Sequence, residues 1–176
     1  GDERTTYHLI YVDGGTGKAY AKRFNVTSIT RDKEYDLTKG DKESKVLYFA
    51  AHPNGESERV ELQLTPGSSA RNKVFDFYFE ELAIKGRNAG GNIVTRYPVR
   101  KVTQMEVGKS TLGAQKYWYD DVSGRINKDE RGIYMGSFDT GGQLLTVYSS
   151  GEYEISEIDP SGKVEMKDLL YAGKFK

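Results

Sequence analysis

Two groups of cations in this sequence have the spacing to meet phosphate. In one, Lys85-Gly86-Arg87-Asn88-Ala89-Gly90-Gly91 forms a glycine-rich loop ahead of Arg96, Arg100 and Lys101. In the other, Lys18, Tyr20, Lys22 and Phe24 share one parity of an extended segment, with Arg23 on the opposite parity and Arg31 on the link that follows. Glycine has no Cβ, so backbone N–H groups can come close to an anion while flanking cations displace its condensed counterions. The plain alternative is a wide hairpin loop with solvated charges. The loop at 85–91 favours phosphate, because its cations recur over neighbouring segments with almost no acidic partners.

Other chemistries find no support. Gly14-Gly15-Thr16-Gly17-Lys18 has the look of a phosphate-binding loop, but Ala19 stands where a hydroxyl should hold magnesium. A β-rich stretch follows it instead of a helix, so it reads as a hairpin turn. His8 and His52 are the only histidines, far apart and without ligand-like spacing, so no metal site is expected. Cysteine is absent, which removes disulfides, thiol catalysis and Cys-based zinc sites and permits a cytosolic address. Asp120-Asp121 and Asp129-Glu130 read as loop decoration, and Asn25-Val26-Thr27 as a glycosylation acceptor without context. No nucleophile, base and orienting group assemble. No catalytic residue is assigned.

The formal net charge of zero conceals segregation. From Leu82 to Lys116, Lys85, Arg87, Arg96, Arg100, Lys101, Lys109 and Lys116 face Glu106 alone, and from Tyr117 to Pro160 acidic residues outnumber Arg125, Lys128 and Arg131. The segment from Gly14 to Ala50, which includes Lys39 and Asp41, is mildly basic. One fold carrying such a pattern can present a basic track to a polyanion and keep its acidic stretch away from it.

The elements that must position these cations are strands. Val60, Leu62 and Leu64 alternate with polar neighbours, as do Phe75, Phe77 and Phe79, and period-two alternation marks half-buried strands. No window shows a 3.6-residue period. With 20 glycines, 13 tyrosines and 7 phenylalanines, the chain reads as all-β. Hairpins are expected at Leu9–Val12 with Lys18–Val26, at Val46–Ala51 with Glu58–Leu64, at Leu82–Ile84 with Asn92–Val99, and at Leu144–Val147 with Glu152–Ile158. Tyr117–Tyr119 and Gly132–Met135 form a further candidate pair. Recurrence at roughly 35–50 residues suits a propeller-like array of blades. All 176 residues fit one domain, with residues 1–6 as a disordered or tag-like tail.

The stretch from Leu82 to Val102 (LAIKGRNAGGNIVTRYPVRKV) resembles the C-terminal domain of bacterial type IIA topoisomerase A subunits. Tyr20–Leu37 looks like another blade of that domain, as does Lys45–Phe49 leading to Asn54-Gly55-Glu56. The resemblance implies a β-pinwheel of about three to four blades in an open ring, whose basic outer rim bends DNA. The seven-residue glycine box of gyrase is absent, and Lys85–Gly91 is a loose counterpart. This points to topoisomerase IV over gyrase. The breakage-and-reunion part is absent too, so no tyrosine here takes its role.

The resemblance implies a non-catalytic accessory domain that contacts duplex phosphates through Lys18, Lys22, Arg23, Arg31, Lys85, Arg87, Asn88, Arg96, Arg100 and Lys101. It also implies, as partners, double-stranded DNA, the rest of the A subunit and a B subunit in a heterotetramer, in a bacterial cytoplasm. ATP and magnesium would serve the intact enzyme outside this domain, which needs no cofactor. A protein-binding propeller is the rival reading. A carbohydrate-binding one would rest on Tyr117-Trp118-Tyr119, which reads mostly as core.

Overall fold

The computed structural model describes residues 4–38, 42–139 and 141–176. Lys39 and Asp41, counted above in the basic segment, lie outside the described residues, as do positions 1–3 of the expected tail. The rest of that tail belongs to the fold. Arg4 Nε donates to Asn54 Oδ1 at 2.5 Å, and Thr6 is buried in the first strand.

The chain forms two compact units, Gly1–Leu112 and Gly113–Lys176. In the first, β1 (Thr6–Val12) and β2 (Ala19–Asn25) form the expected hairpin, with Leu9 opposite Lys22 and His8 opposite Arg23. Its turn is tied by Asp13, whose carbonyl accepts from Gly17 N at 2.8 Å and whose N–H donates to Lys18 O at 3.0 Å. The loop at 14–18 is a turn, as its sequence predicts. β3 (Lys45–His52) pairs with the other side of β1.

β4 (Glu56–Leu64) was expected to fold back on β3. It does not. It joins a second sheet in the order β5-β4-β8, with β5 (Val74–Tyr78) and β8 (Val99–Ser110), so Pro53-Asn54-Gly55 carries the chain between sheets. A single 3-10 turn, Phe79–Glu81, follows β5 and buries Phe79 completely. The third expected hairpin is also replaced: Leu82–Ile84 is not a strand. The short β6 (Lys85–Gly86) and β7 (Asn92–Thr95) both pair with β2, β6 parallel and β7 antiparallel.

Period-two alternation is kept along all of β4, where every second residue from Glu56 to Leu64 is buried. Val60, Leu62 and Phe79 meet Ile10 and Ala21 in the core between the two sheets. The opposite face of β1 is also covered, since Leu9 and Tyr11 pack with Phe24 in a second cluster. Each large apolar side chain so buried is worth about 1.5–3 kcal/mol.

In the second unit, β9 (Gln115–Tyr119), β10 (Ile126–Asn127) and β11 (Ile133–Phe138) form one sheet in the order β10-β9-β11. β12 (Gln143–Tyr148), β13 (Tyr153–Glu157) and β14 (Leu169–Lys174) form another in the order β13-β12-β14. Both expected pairings, β9 with β11 and β12 with β13, are present. Tyr117, Tyr119, Met135, Phe138, Leu144 and Val164 make its apolar core. Among the described residues, four small sheets with no closed barrel give an all-β fold of the β-pinwheel kind. No helix among the described residues is long and apolar enough to cross a membrane.

Candidate nucleic-acid interface

The edge of β2 organises the cations of the first unit. β6 meets it at Phe24 and Asn25, and β7 meets it from Ala19 to Ala21, so the 85–92 loop leaves and re-enters along one strand edge. The loop is fastened from beneath. Gly91 N–H donates to Tyr11 Oη at 3.2 Å, and a Cβ at 91 would crowd Tyr20 and Tyr11. Over Gly86 and Gly90 the space is open. Lys85 Nζ donates to Asn92 Oδ1 at 3.3 Å across the loop's mouth.

Lys22 and Arg23 do not reach solvent, contrary to the sequence expectation. Lys22 is 2% exposed, and its ammonium donates to the carbonyls of Leu37, at 3.1 Å, and Arg87. Arg23 is 4% exposed and donates through Nη2 to Thr111 Oγ1 at 2.5 Å and Gly55 O at 3.2 Å; burial lowers its pKa. The physical reason is their place on a central strand. Residues on both faces of β2 are covered, so each charge turns back onto backbone oxygens. Lys22 is thereby a positioning residue, since it holds the backbone of the Arg87 loop.

Arg87 itself lies over the ring of Tyr35, 3.5 Å from its centroid, and donates to Ser28 O at 2.9 Å. Lys33 approaches the same ring at 5.1 Å. Two cations thus share one aromatic ring, an arrangement the sequence reading missed because Lys33 and Tyr35 lie far from Arg87 along the chain. The phenol's pKa is lowered, first by its hydrogen bond with Thr30 and then by the two cations. An open cleft separates Asn25–Ser28 from Gly86–Ala89, and exposed Asn88 lines it. Arg31 stands on the same link as Lys33, almost fully exposed, in a loose pair with Asp32 at 3.8 Å.

A second group gathers at the other end of β2. Thr95 pairs with Ala19, so exposed Arg96 and Lys18 come to the same end of the ladder. Arg96 donates to Tyr97 Oη at 3.1 Å, which raises its pKa. Arg100 and Lys101 follow on β8, both exposed and on opposite faces because they are consecutive. From Ala19 to Asn25 the strand spans about 20 Å, or roughly six base-pair steps along a duplex. Among the described residues, no carboxylate lies within ion-pairing distance of Lys18, Lys85, Arg87, Arg96, Arg100 or Lys101.

The histidines are a further correction. His8 on β1 and His52 at the end of β3 converge on Glu58 of β4, and all three are buried. His8 Nδ1 lies 2.9 Å and His52 Nε2 3.2 Å from Glu58 Oε1. Glu58 Oε2 accepts from Tyr48 Oη and Gln104 Nε2, each at 2.5 Å. Burial alone would push the Glu58 carboxyl up. The polar groups around it, His52 and His8 first, outweigh it and hold the group well below the usual carboxylate range. Burial lowers the pKa of His8 and raises that of Tyr48. Strand parity carries this signal: Glu58 shares its face with Val60, Leu62 and Leu64, and His8 shares one with Ile10.

In the second unit Tyr117 and Tyr119 face the core, and Trp118, on the other face, packs on Tyr134 at 5.2 Å. The trio is not an exposed platform. Asp120 caps its own turn, accepting from Val122 N and Ser123 N at 2.8 Å each.

An all-β domain of small sheets with a cationic strand edge is the class defined so far. The sequence profile of the topoisomerase C-terminal domain of Bacteroidota matches residues 1–106, and the chain belongs to that family. The match covers nearly all of the first unit and none of the second. No curated protein matches the chain.

Proposed function

We propose that this chain is the DNA-binding and DNA-bending accessory domain of an ATP-dependent type IIA topoisomerase A subunit. It guides strand passage and does no bond chemistry itself. One observation carries the reading: exposed cations without carboxylate partners stand at both ends of one strand edge in a member of a topoisomerase family. Lys18, Arg31, Lys85, Arg87, Arg96, Arg100 and Lys101 contact phosphates, with Asn88 at the cleft. Lys33 joins them. Lys22 and Arg23 drop out as direct contacts because their charges are spent on backbone and hydroxyl oxygens.

Such contacts read backbone and curvature, so binding is indifferent to base sequence. In the intact enzyme the domain works with the rest of the A subunit and the B subunit, in a heterotetramer in the bacterial cytoplasm. ATP and magnesium act there, outside this domain.

The test is a duplex titration of the chain from low to moderate salt. Micromolar or weaker affinity is expected at physiological salt, with log K falling at a slope of about −5 if five or six phosphates are neutralised. Reversing charge at Arg87, Arg96 and Arg100 together should weaken all duplexes alike and flatten the slope by about three. A flat salt dependence in the unaltered chain, or affinity untouched by the triple reversal, would defeat the reading.

A further inference from the structure

We propose that His8, His52 and Glu58 form a binding site for one divalent transition-metal ion of the zinc class, which ties the two sheets of the first unit together. Imidazole and carboxylate are the donors such an ion takes, and the three donor atoms lie within 4.8 Å of one another. Around tetrahedral zinc, donors bonded at 2.0–2.1 Å stand about 3.3 Å apart. The two separations from Glu58 Oε1, 2.9 and 3.2 Å, need to open by only a few tenths of an ångström, and the two imidazole nitrogens, within 4.8 Å of each other, close toward the same spacing as the ion binds.

Three further features suit an ion better than hydrogen bonds alone. His52 Nε2 is buried and, although 3.2 Å from Oε1, makes no contact of hydrogen-bond geometry, so it is aimed past the carboxylate. Without an ion, His8 Nδ1 donates to the ionised Glu58 Oε1, while His8 Nε2 is buried without a partner, so the carboxylate alone holds the Nδ1–H tautomer and an ion taking that place releases it. Each neutral imidazole can therefore carry its proton on the nitrogen turned away from the ion. Finally, Tyr48 and Gln104 both hold Oε2 and leave Oε1 to the imidazoles, the outer-shell support that orients a ligating carboxylate. The His8 ring is also fixed, stacked on Phe79 at 4.3 Å and 10°. The ligands come from β1, β3 and β4, and hence from both sheets of the unit.

The sequence makes the test clean, since the chain has two histidines and no cysteine. The full chain, free of any histidine tag and stripped with chelator, is given zinc and passed over gel filtration. About one zinc per chain should be retained. Both imidazoles should change their nitrogen chemical shifts in step with zinc, and cobalt should give the visible absorption of a tetrahedral centre. Tyr48→Phe, which keeps the ring and loses the phenol, should weaken zinc binding by about 10–100-fold. His52→Asn should abolish stoichiometric retention. Imidazole signals that ignore zinc in the unaltered chain would overturn the site, and so would zinc retained undiminished by His52→Asn.

Discussion

The two units of this chain are held by different means. The first buries His8, Lys22, Arg23, His52, Glu56 and Glu58, whereas in the second, among the described residues, the buried polar side chain is Thr146. The second unit is an apolar core in which Phe138 meets Tyr117 edge-on at 5.9 Å. Apolar packing is non-directional and does not depend on any single pairing of atoms. A buried carboxylate hydrogen-bonded by His8, Tyr48 and Gln104 does, because any slip leaves a charge without partners. The first unit is thus pinned by directional buried bonds, and it is the unit that carries the cationic edge.

That contrast can be broken most forcefully at its centre. Glu58→Ala should destabilise the first unit by about 3–5 kcal/mol, since it removes the carboxylate on which His8, His52, Tyr48 and Gln104 converge. The measurement is far-UV circular dichroism against denaturant. Emission of Trp118, the sole tryptophan, reports the second unit and should keep its midpoint.

Phe138→Ala is the mirror experiment. Its cost, about 3–4 kcal/mol, is that of a large cavity in an apolar core, and here the Trp118 transition moves. If either substitution shifted both transitions equally, the division of labour between the units would be wrong.

Lys22→Met keeps the aliphatic stem and withdraws the ammonium from Leu37 and Arg87. A loss of about 1–3 kcal/mol is expected, with weaker duplex binding because the Arg87 loop loses its fastening. Arg31→Ala should be the mildest: no measurable change in melting temperature, and a salt slope shallower by about one.

Much of the fold was legible in the residues. Alternation along Val60, Leu62 and Leu64 marks β4, and turn glycines mark the β1–β2 and β12–β13 hairpins. What misled was the junction at Pro53-Asn54-Gly55. A turn signal reads alike whether the chain reverses within a sheet or passes to the next, and only long-range pairing decides between them. The sequence reads Lys85–Gly91 as a loop, which holds for 87–91, whereas the pairing of Lys85–Gly86 with the β2 edge is a tertiary matter. Lys22 and Arg23 read as surface cations in the sequence because lysine and arginine are rarely buried. Parity held a hint: Arg23 shares its face with Ala19 and Ala21, small residues that leave room under a covering sheet.

The length of β8 has a practical consequence. The family match stops at residue 106, within that strand, yet Val107 pairs with Glu58, Ser110 Oγ donates to Asn54 O at 2.6 Å, and Thr111 receives Arg23. A polypeptide trimmed to the family boundary would uncover the flank of the buried carboxylate and strand a guanidinium. Anyone wishing to graft this piece onto another protein should cut after Leu112, six residues beyond where homology alone would place the scissors.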